Sequence, residues 1–135
     1  MKADRVISVV LLSLTVMVAG CSKLGGRSPS EVVTRVHTAC NEGKYSEAQD
    51  HFSSSTKALI NGPLGAAAGG MKGLCDKQTR KGALPRVEIL KENIRGEGAT
   101  VDYRLHFKDG TTKEDHDDLI KEDGQWKEAI SPPGG

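Results

Sequence analysis

The chain has 135 residues, with 19 Lys and Arg set against 18 Asp and Glu, and aromatic residues make up only 4%. Charges of both signs are interspersed and no basic footprint stands out, so nucleic acid is not an expected partner. Hydrophobic residues at 36%, recurring with clear periodicity, argue against a disordered chain and allow one small domain with a mostly aliphatic core.

The N-terminus reads as a targeting segment. Lys2 and Arg5 precede an apolar run from Val6 to Val18, broken only by Ser8, Ser13 and Thr15. Such a run spans about 20 Å as a helix, short of the roughly 30 Å hydrocarbon core, so a signal peptide fits better than a transmembrane helix. Val18-Ala19-Gly20-Cys21 follows and has the form of a bacterial lipobox. This predicts a lipoprotein signal peptide at 1–20, lipidation of Cys21, a lipidated tether at 21–27, a domain at 28–131 and a tail at 132–135. Loss of residues 1–20 removes Lys2, Arg5 and Asp4 and leaves a formally neutral chain. The expected location is the cell envelope, with the membrane as partner through the lipid at Cys21. By resemblance to Gram-negative lipoproteins, Ser22 in place of an aspartate implies the outer membrane, facing the periplasm.

Two cysteines then remain, Cys40 and Cys75. In an oxidising compartment they are a natural disulfide pair. Free or redox-active thiols are the alternative, without a Cys-x-x-Cys spacing to support them. No compact His/Cys cluster accompanies the pair, so no metal site and no cofactor are expected.

In the mature chain, Ser28-Pro29-Ser30-Glu31 is a helix start, with Ser28 as N-cap, Pro29 at the first helical position and Glu31 as the capping-box acid. Val33, Val36 and Cys40 form the apolar stripe of that helix, and Asn41-Glu42-Gly43 ends it. Tyr45, Ala48 and Phe52 mark a second short helix, which Ser53-Ser54-Ser55 breaks. A third helical pattern runs from Leu59 to Cys75, and Gly62-Pro63 must kink or divide it. Lys81-Gly82 reads as its stop.

From Pro85 the period changes to two. Val87, Ile89 and Lys91 alternate with Glu88, Leu90 and Glu92 in a first strand. Ala99, Val101, Tyr103, Leu105 and Phe107 share the apolar face of a second. Asp109-Gly110 is a hairpin signal, a third strand runs from about Thr111 to Lys121, and Glu122-Asp123-Gly124 turns into a fourth, Gln125 to Ile130. This order predicts an α+β fold, with N-terminal helices packed into a strongly curved, cone-like, four-stranded antiparallel sheet.

Several of these segments have a familiar order: Pro-Ser-Glu-Val-Val from Pro29, Gly-Lys-Tyr-Ser-Glu-Ala from Gly43, Leu74-Cys75-Asp76, Val87-Glu88-Ile89-Leu90, Ala99-Thr100-Val101 with Tyr103, and Glu122-Asp123-Gly124-Gln125-Trp126-Lys127. Behind a lipobox this order resembles the lipoprotein-associated family known as domain of unknown function 4878, of the nuclear transport factor 2-like or cystatin-like cone superfamily. The resemblance covers roughly residues 28–130. It implies a bent antiparallel sheet closed by N-terminal helices. It does not imply one activity, because that superfamily holds isomerases, dehydratases, ligand-binding domains and docking modules.

Candidate cavity residues are few. Tyr103 is the one polar side chain on the inward face of the second strand; the plainer reading is a core tyrosine bonded to a backbone group or water. His37 and His51 flank the apolar stripes of their helices, where they can line an opening or simply mark a boundary. Asp102 and His106 fall on the opposite, solvated face. Glu114-Asp115-His116-Asp117-Asp118 puts Glu114, His116 and Asp118 on one face and Asp115 and Asp117 on the other, and reads as a solvated edge strand protected by charge. No catalytic residue is assigned. The reading is an envelope lipoprotein with a non-catalytic binding domain, for a small apolar or amphiphilic ligand in the cone or an envelope protein on the sheet face that carries Leu90 and Ile120. The alternative is a small acid–base enzyme of the isomerase or dehydratase type.

Overall fold

A computed structural model describes residues 26–78 and 86–130. The expected signal peptide, the lipobox with Cys21, the Lys81-Gly82 stop and the tail at 132–135 lie outside the described residues. Five helices precede four strands: α1 (Pro29–Asn41), α2 (Tyr45–Asp50), α3 (Ser54–Asn61), α4 (Pro63–Ala67), α5 (Gly70–Gln78), β1 (Arg86–Arg95), β2 (Gly98–His106), β3 (Thr112–Glu122) and β4 (Gln125–Glu128).

α1 begins as its sequence dictates. Ser28 accepts a hydrogen bond from the Glu31 amide, the Glu31 carboxylate accepts one from the Ser28 amide, and Pro29 fills the first turn. Exchanging Ser28→Ala removes one half of this box and is expected to lower stability by about 1 kcal/mol. A urea titration reads this as a lower midpoint with an unchanged slope. α1 carries apolar side chains toward two neighbours and separates two cores. Val32 and Val33 join Val101, Leu105, Leu119 and Trp126 on the sheet side. Val36, Ala39 and Cys40 join Ala48, Phe52, Ile60, Met71 and Cys75 on the helix side. A disulfide between Cys40 and Cys75 ties α1 to α5 across that second core.

Gly62-Pro63 divides the third helical pattern: Gly62 is extended and Pro63 opens α4. Ser53 breaks the pattern before it by capping α3, accepting from the Thr56 amide. Residues 51–53 then run along β4. The Ser53 amide donates to the Glu128 carbonyl at 2.9 Å, and the Glu128 amide donates to the His51 carbonyl at 2.8 Å.

The sheet is antiparallel in the order β1-β2-β3-β4, and it stays open, with β1 and β4 at its edges. Two expectations are refined here. β3 is an inner strand only at Leu119–Glu122, where the short β4 pairs with it; over the charged run Glu114–Asp117 it pairs with β2 alone and is the edge expected. β1 also departs from simple alternation. Ile89 pairs with Tyr103 and Lys91 with Asp102, so a bulge at Leu90 inverts the faces beyond it. Lys91 therefore lies outward, while Glu92 turns toward α1 and accepts hydrogen bonds from the Ser30 amide and hydroxyl.

Candidate ligand cavity and buried polar cluster

The register decides what the inner face presents. Val101 pairs with Asp117, Tyr103 with Asp115 and Leu105 with Lys113, so Lys113, Asp115 and Asp117 share the face of the apolar residues of β2. Leu119 pairs with Glu128 and Lys121 with Trp126, which brings Glu128 to the same side. His37 comes down on this face from α1, one turn after Val33, and is 1% exposed.

Four polar side chains meet there. The His37 and Tyr103 rings lie edge to face with centroids 5.0 Å apart. The Tyr103 hydroxyl donates to Asp117 Oδ1 at 3.3 Å, and His37 Nε2 stands 4.0 Å from Asp117 Oδ2. Glu128 is 5% exposed, and its Oε1 has no hydrogen-bond partner among the described residues. Neither nitrogen of His37 has a well-formed one either, nor has Gln78 Oε1, although Gln78 lies near enough to His37 to act on its titration.

Burial governs how these groups titrate. It drives His37 down to about 4, against the weaker upward pull of Asp115 and Gln78. It raises Asp117 to about 6, with Asp115 adding to the rise and the Tyr103 hydroxyl opposing it. Glu128 is pushed well above the ordinary carboxylate range by burial and then by Asp117 beside it. Tyr103 is raised by burial and by the nearby carboxylates. At neutral pH the His37 imidazole is thus neutral, and Asp117 and Glu128 both hold their protons to higher pH than ordinary carboxyls do.

Beside this cluster, between α1, α5 and the far end of the sheet, lies a cavity of about 400 Å³. Leu74, Leu105 and Phe107 supply its apolar wall, and His37, Tyr103 and Gln78 supply its polar end. Lys77, Lys113 and Asp115 stand at the rim, where Lys113 Nζ bonds Asp115 at 2.7 Å. That pairing carries Asp115 below its usual range although burial pushes the other way. Among the described residues no group of three or more His, Cys, Asp or Glu is placed to hold a metal ion.

Of the residues singled out from sequence, His37 and Tyr103 come together in this cavity. His51 does not. It borders a separate hollow of about 340 Å³ with Arg27, Trp126 and Lys127, and its pKa is lowered by burial and then by Arg27 and Lys127. Asp117 and Glu128 were not foreseen as inward groups; each shares strand parity with a buried apolar neighbour, Leu119 and Trp126 respectively. The outer face is polar. Arg104 bridges Glu114 and Glu88, and Glu88 also pairs with His106. Leu90 sits at the bulge while Ile120 pairs with Gly98, several residues further along β2, so the two form no shared apolar patch. A shallow groove of about 520 Å³ on this side is lined by Lys91, Asn93, Arg95 and Asp102, with Thr100 bonded to Asp118.

Comparison with known proteins agrees with the architecture. A candidate nuclear transport factor 2-like (NTF2-like) transpeptidase from Campylobacter jejuni superposes with a TM-score of 0.60 at 11% identity, covering 78% of this chain and 100% of that one. A SEC-C motif containing protein from Rhodopseudomonas palustris gives 0.53 at 12% identity, covering 77% and 79%. At such identities the likeness concerns the fold alone. A search of the curated proteins finds no match. The family model described as domain of unknown function (DUF4878) matches residues 21–129, and the chain belongs to that family.

Proposed function

We propose that this member of the family is an envelope lipoprotein, acylated at Cys21, whose domain binds a small amphiphilic ligand in the cavity between α1, α5 and the sheet. One observation carries the binding reading. A cavity of about 400 Å³ combines an apolar wall of Leu74, Leu105 and Phe107 with a buried His37 whose two nitrogens lack well-formed partners. Pockets for small molecules have this form, mostly apolar with a few placed polar groups. A buried polar group without a partner is costly, and a ligand that supplies one recovers that cost on binding. The lipobox at 18–21 supports the anchor, and Ser22 supports the outer membrane as its destination.

Native mass spectrometry of the full mature protein, taken gently from its own envelope, tests both parts. The expected result is a covalent mass increment from acyl chains and a discrete non-covalent adduct. Leu74→Trp, which fills the apolar wall from α5, is expected to abolish the adduct and leave the acyl mass unchanged. A bare protein mass in both forms would remove the ligand-binding reading.

The titration of the cluster favours a second reading, a small acid–base enzyme. Asp117, at about 6 and hydrogen-bonded to Tyr103, is poised to exchange a proton near neutral pH. Tyr103→Phe separates the two. A binding domain keeps its adduct, whereas an enzyme that depends on the hydroxyl accumulates the adduct unconverted.

A further inference from the structure

Between Lys57 and Lys72 the chain runs for fourteen residues, Ala58 to Met71, without a charge. This stretch forms the end of α3, all of α4 and the start of α5. Ile60 and Met71 point into the core, but Leu59 is 48% exposed and Leu64 is 88% exposed. Pro63, Ala66, Ala67 and Ala68 are exposed beside them.

Backbone contacts hold this corner in shape. A Cβ on Gly65 would stand 2.1 Å from the Ile60 carbonyl oxygen and 2.3 Å from that of Leu59. A Cβ on Gly73 would stand 2.0 Å from the Ala68 oxygen. Only glycine permits either approach, so α4 is clamped against the end of α3 on one side and α5 on the other. The clamp keeps Leu64 facing outward.

We propose that this corner is a membrane-surface contact, with Leu64 and Leu59 entering the headgroup–acyl boundary of the bilayer that holds Cys21. The inference rests on the lipid-anchor reading of Cys21. Three observations select lipid as the occupant. First, only residues 22–25 separate Cys21 from Gly26, a reach of about 17 Å at full extension, so the domain stays against its membrane. Gly26 lies beside Gly124 in the β3–β4 turn, and Glu122 next to that turn accepts from the Ser54 amide at the start of α3. From that contact α3, about 12 Å long, runs to the corner.

Second, the apolar centre is bounded by Lys57 and by Lys72, whose ammonium bonds Asp76 at 2.6 Å, and such a charged margin round an apolar centre matches a bilayer interface, where lysine stems lie along the apolar layer. Third, the corner is small. A stable protein interface engages roughly 20–30 residues a side, far more than this corner offers. As a second membrane signal beside a lipid anchor it is large enough.

The test uses the full chain purified from its own membranes, its acyl chains checked by mass. With Cys21 acylated and Cys40 bonded to Cys75, Leu64→Cys supplies the one free thiol of the chain, at a site too exposed to disturb folding. It is labelled with a polarity-sensitive fluorophore and reconstituted in vesicles of phosphatidylethanolamine and phosphatidylglycerol. The expected emission is blue-shifted. It is also quenched several-fold more by nitroxide lipids than the same label at Lys108→Cys, in the exposed β2–β3 turn. Equal, water-like emission at both sites on acylated protein would overturn the membrane contact and leave the anchor standing. A mass without acyl chains would overturn the anchor, and the contact with it.

Discussion

Replacing Cys40 and Cys75 together by alanine is expected to lower the stability of the domain by about 4 kcal/mol, the loop-entropy value for a bridge between residues 35 apart. For a domain of this size that corresponds to a fall in Tm on the order of 20 °C. Small domains are stable by only about 5–15 kcal/mol, so the bridge is a large share of the whole. It also acts at a weak point. α5 is short, nine residues, opening on Gly70 with a left-handed φ and needing Gly73 for its close approach to Ala68. Its buried residues are Met71 and Cys75 alone. Without the bridge α5 loses its fastening to α1, and Leu74, one wall of the cavity, moves with it. Urea titrations of the wild type with and without reductant, beside the double variant, check this. The two reduced or substituted forms should share one lowered midpoint. An undiminished midpoint in the double variant would mean that packing alone holds α5.

The features that were legible in the sequence are those whose causes are local. The start of α1 follows from Ser28, Pro29 and Glu31, and these residues form the cap. The Asp109-Gly110 and Asp123-Gly124 turns reflect positive backbone φ, which the structure places at Gly110, Asp123 and Gly124. β2 was read correctly because both of its faces are set by burial, and its alternation is unbroken from Gly98 to His106. The disulfide pairing followed from setting Cys21 aside, which leaves Cys40 and Cys75 to each other.

What escaped depends on pairing between distant strands. The bulge at Leu90 exists only relative to β2, although Ile94, apolar on the parity of Glu92, was a local sign that the alternation breaks. The charged run of β3 was read as solvated because charge outweighed position. Asp117 shares a face with Leu119, which is 1% exposed, so its position carries it inward despite its charge. Glu128 follows the same rule beside Trp126. His51 does border an opening, but a helix boundary places a histidine there without saying which opening.

The second large effect lies in that polar cluster, where two kinds of group should give stability slopes of opposite sign between pH 4 and 6.5. The unfolded chain protonates His37 near 6.5, but the folded domain does so only near 4. As pH falls through this window the unfolded state takes up a proton that the folded state refuses, and about 3 kcal/mol of stability is lost. Asp117 runs the other way. Its folded value of about 6 lies above the ordinary 3.8, so on acidification the folded state is protonated first and gains about 3 kcal/mol. Glu128, raised well above 4.5, adds a gain in the same direction.

Substitution separates the limbs. The Asp117→Asn, Glu128→Gln double variant keeps only the histidine limb and should lose stability steadily from pH 6.5 to 4. His37→Phe keeps a ring edge against Tyr103 and only the carboxylate limb, so it should lose less than the wild type or gain. Surface carboxylates held low by their partners, such as Glu122 with Ser54, act alike in all three proteins and drop out of the comparison. Urea midpoints measured across the window give the result directly. Curves that fan apart with opposite slopes relative to the wild type place neutral His37 and the proton-holding carboxyls in one dry site. Parallel curves would mean that water reaches the cluster, and the polar end of the cavity would then no longer favour a ligand over solvent.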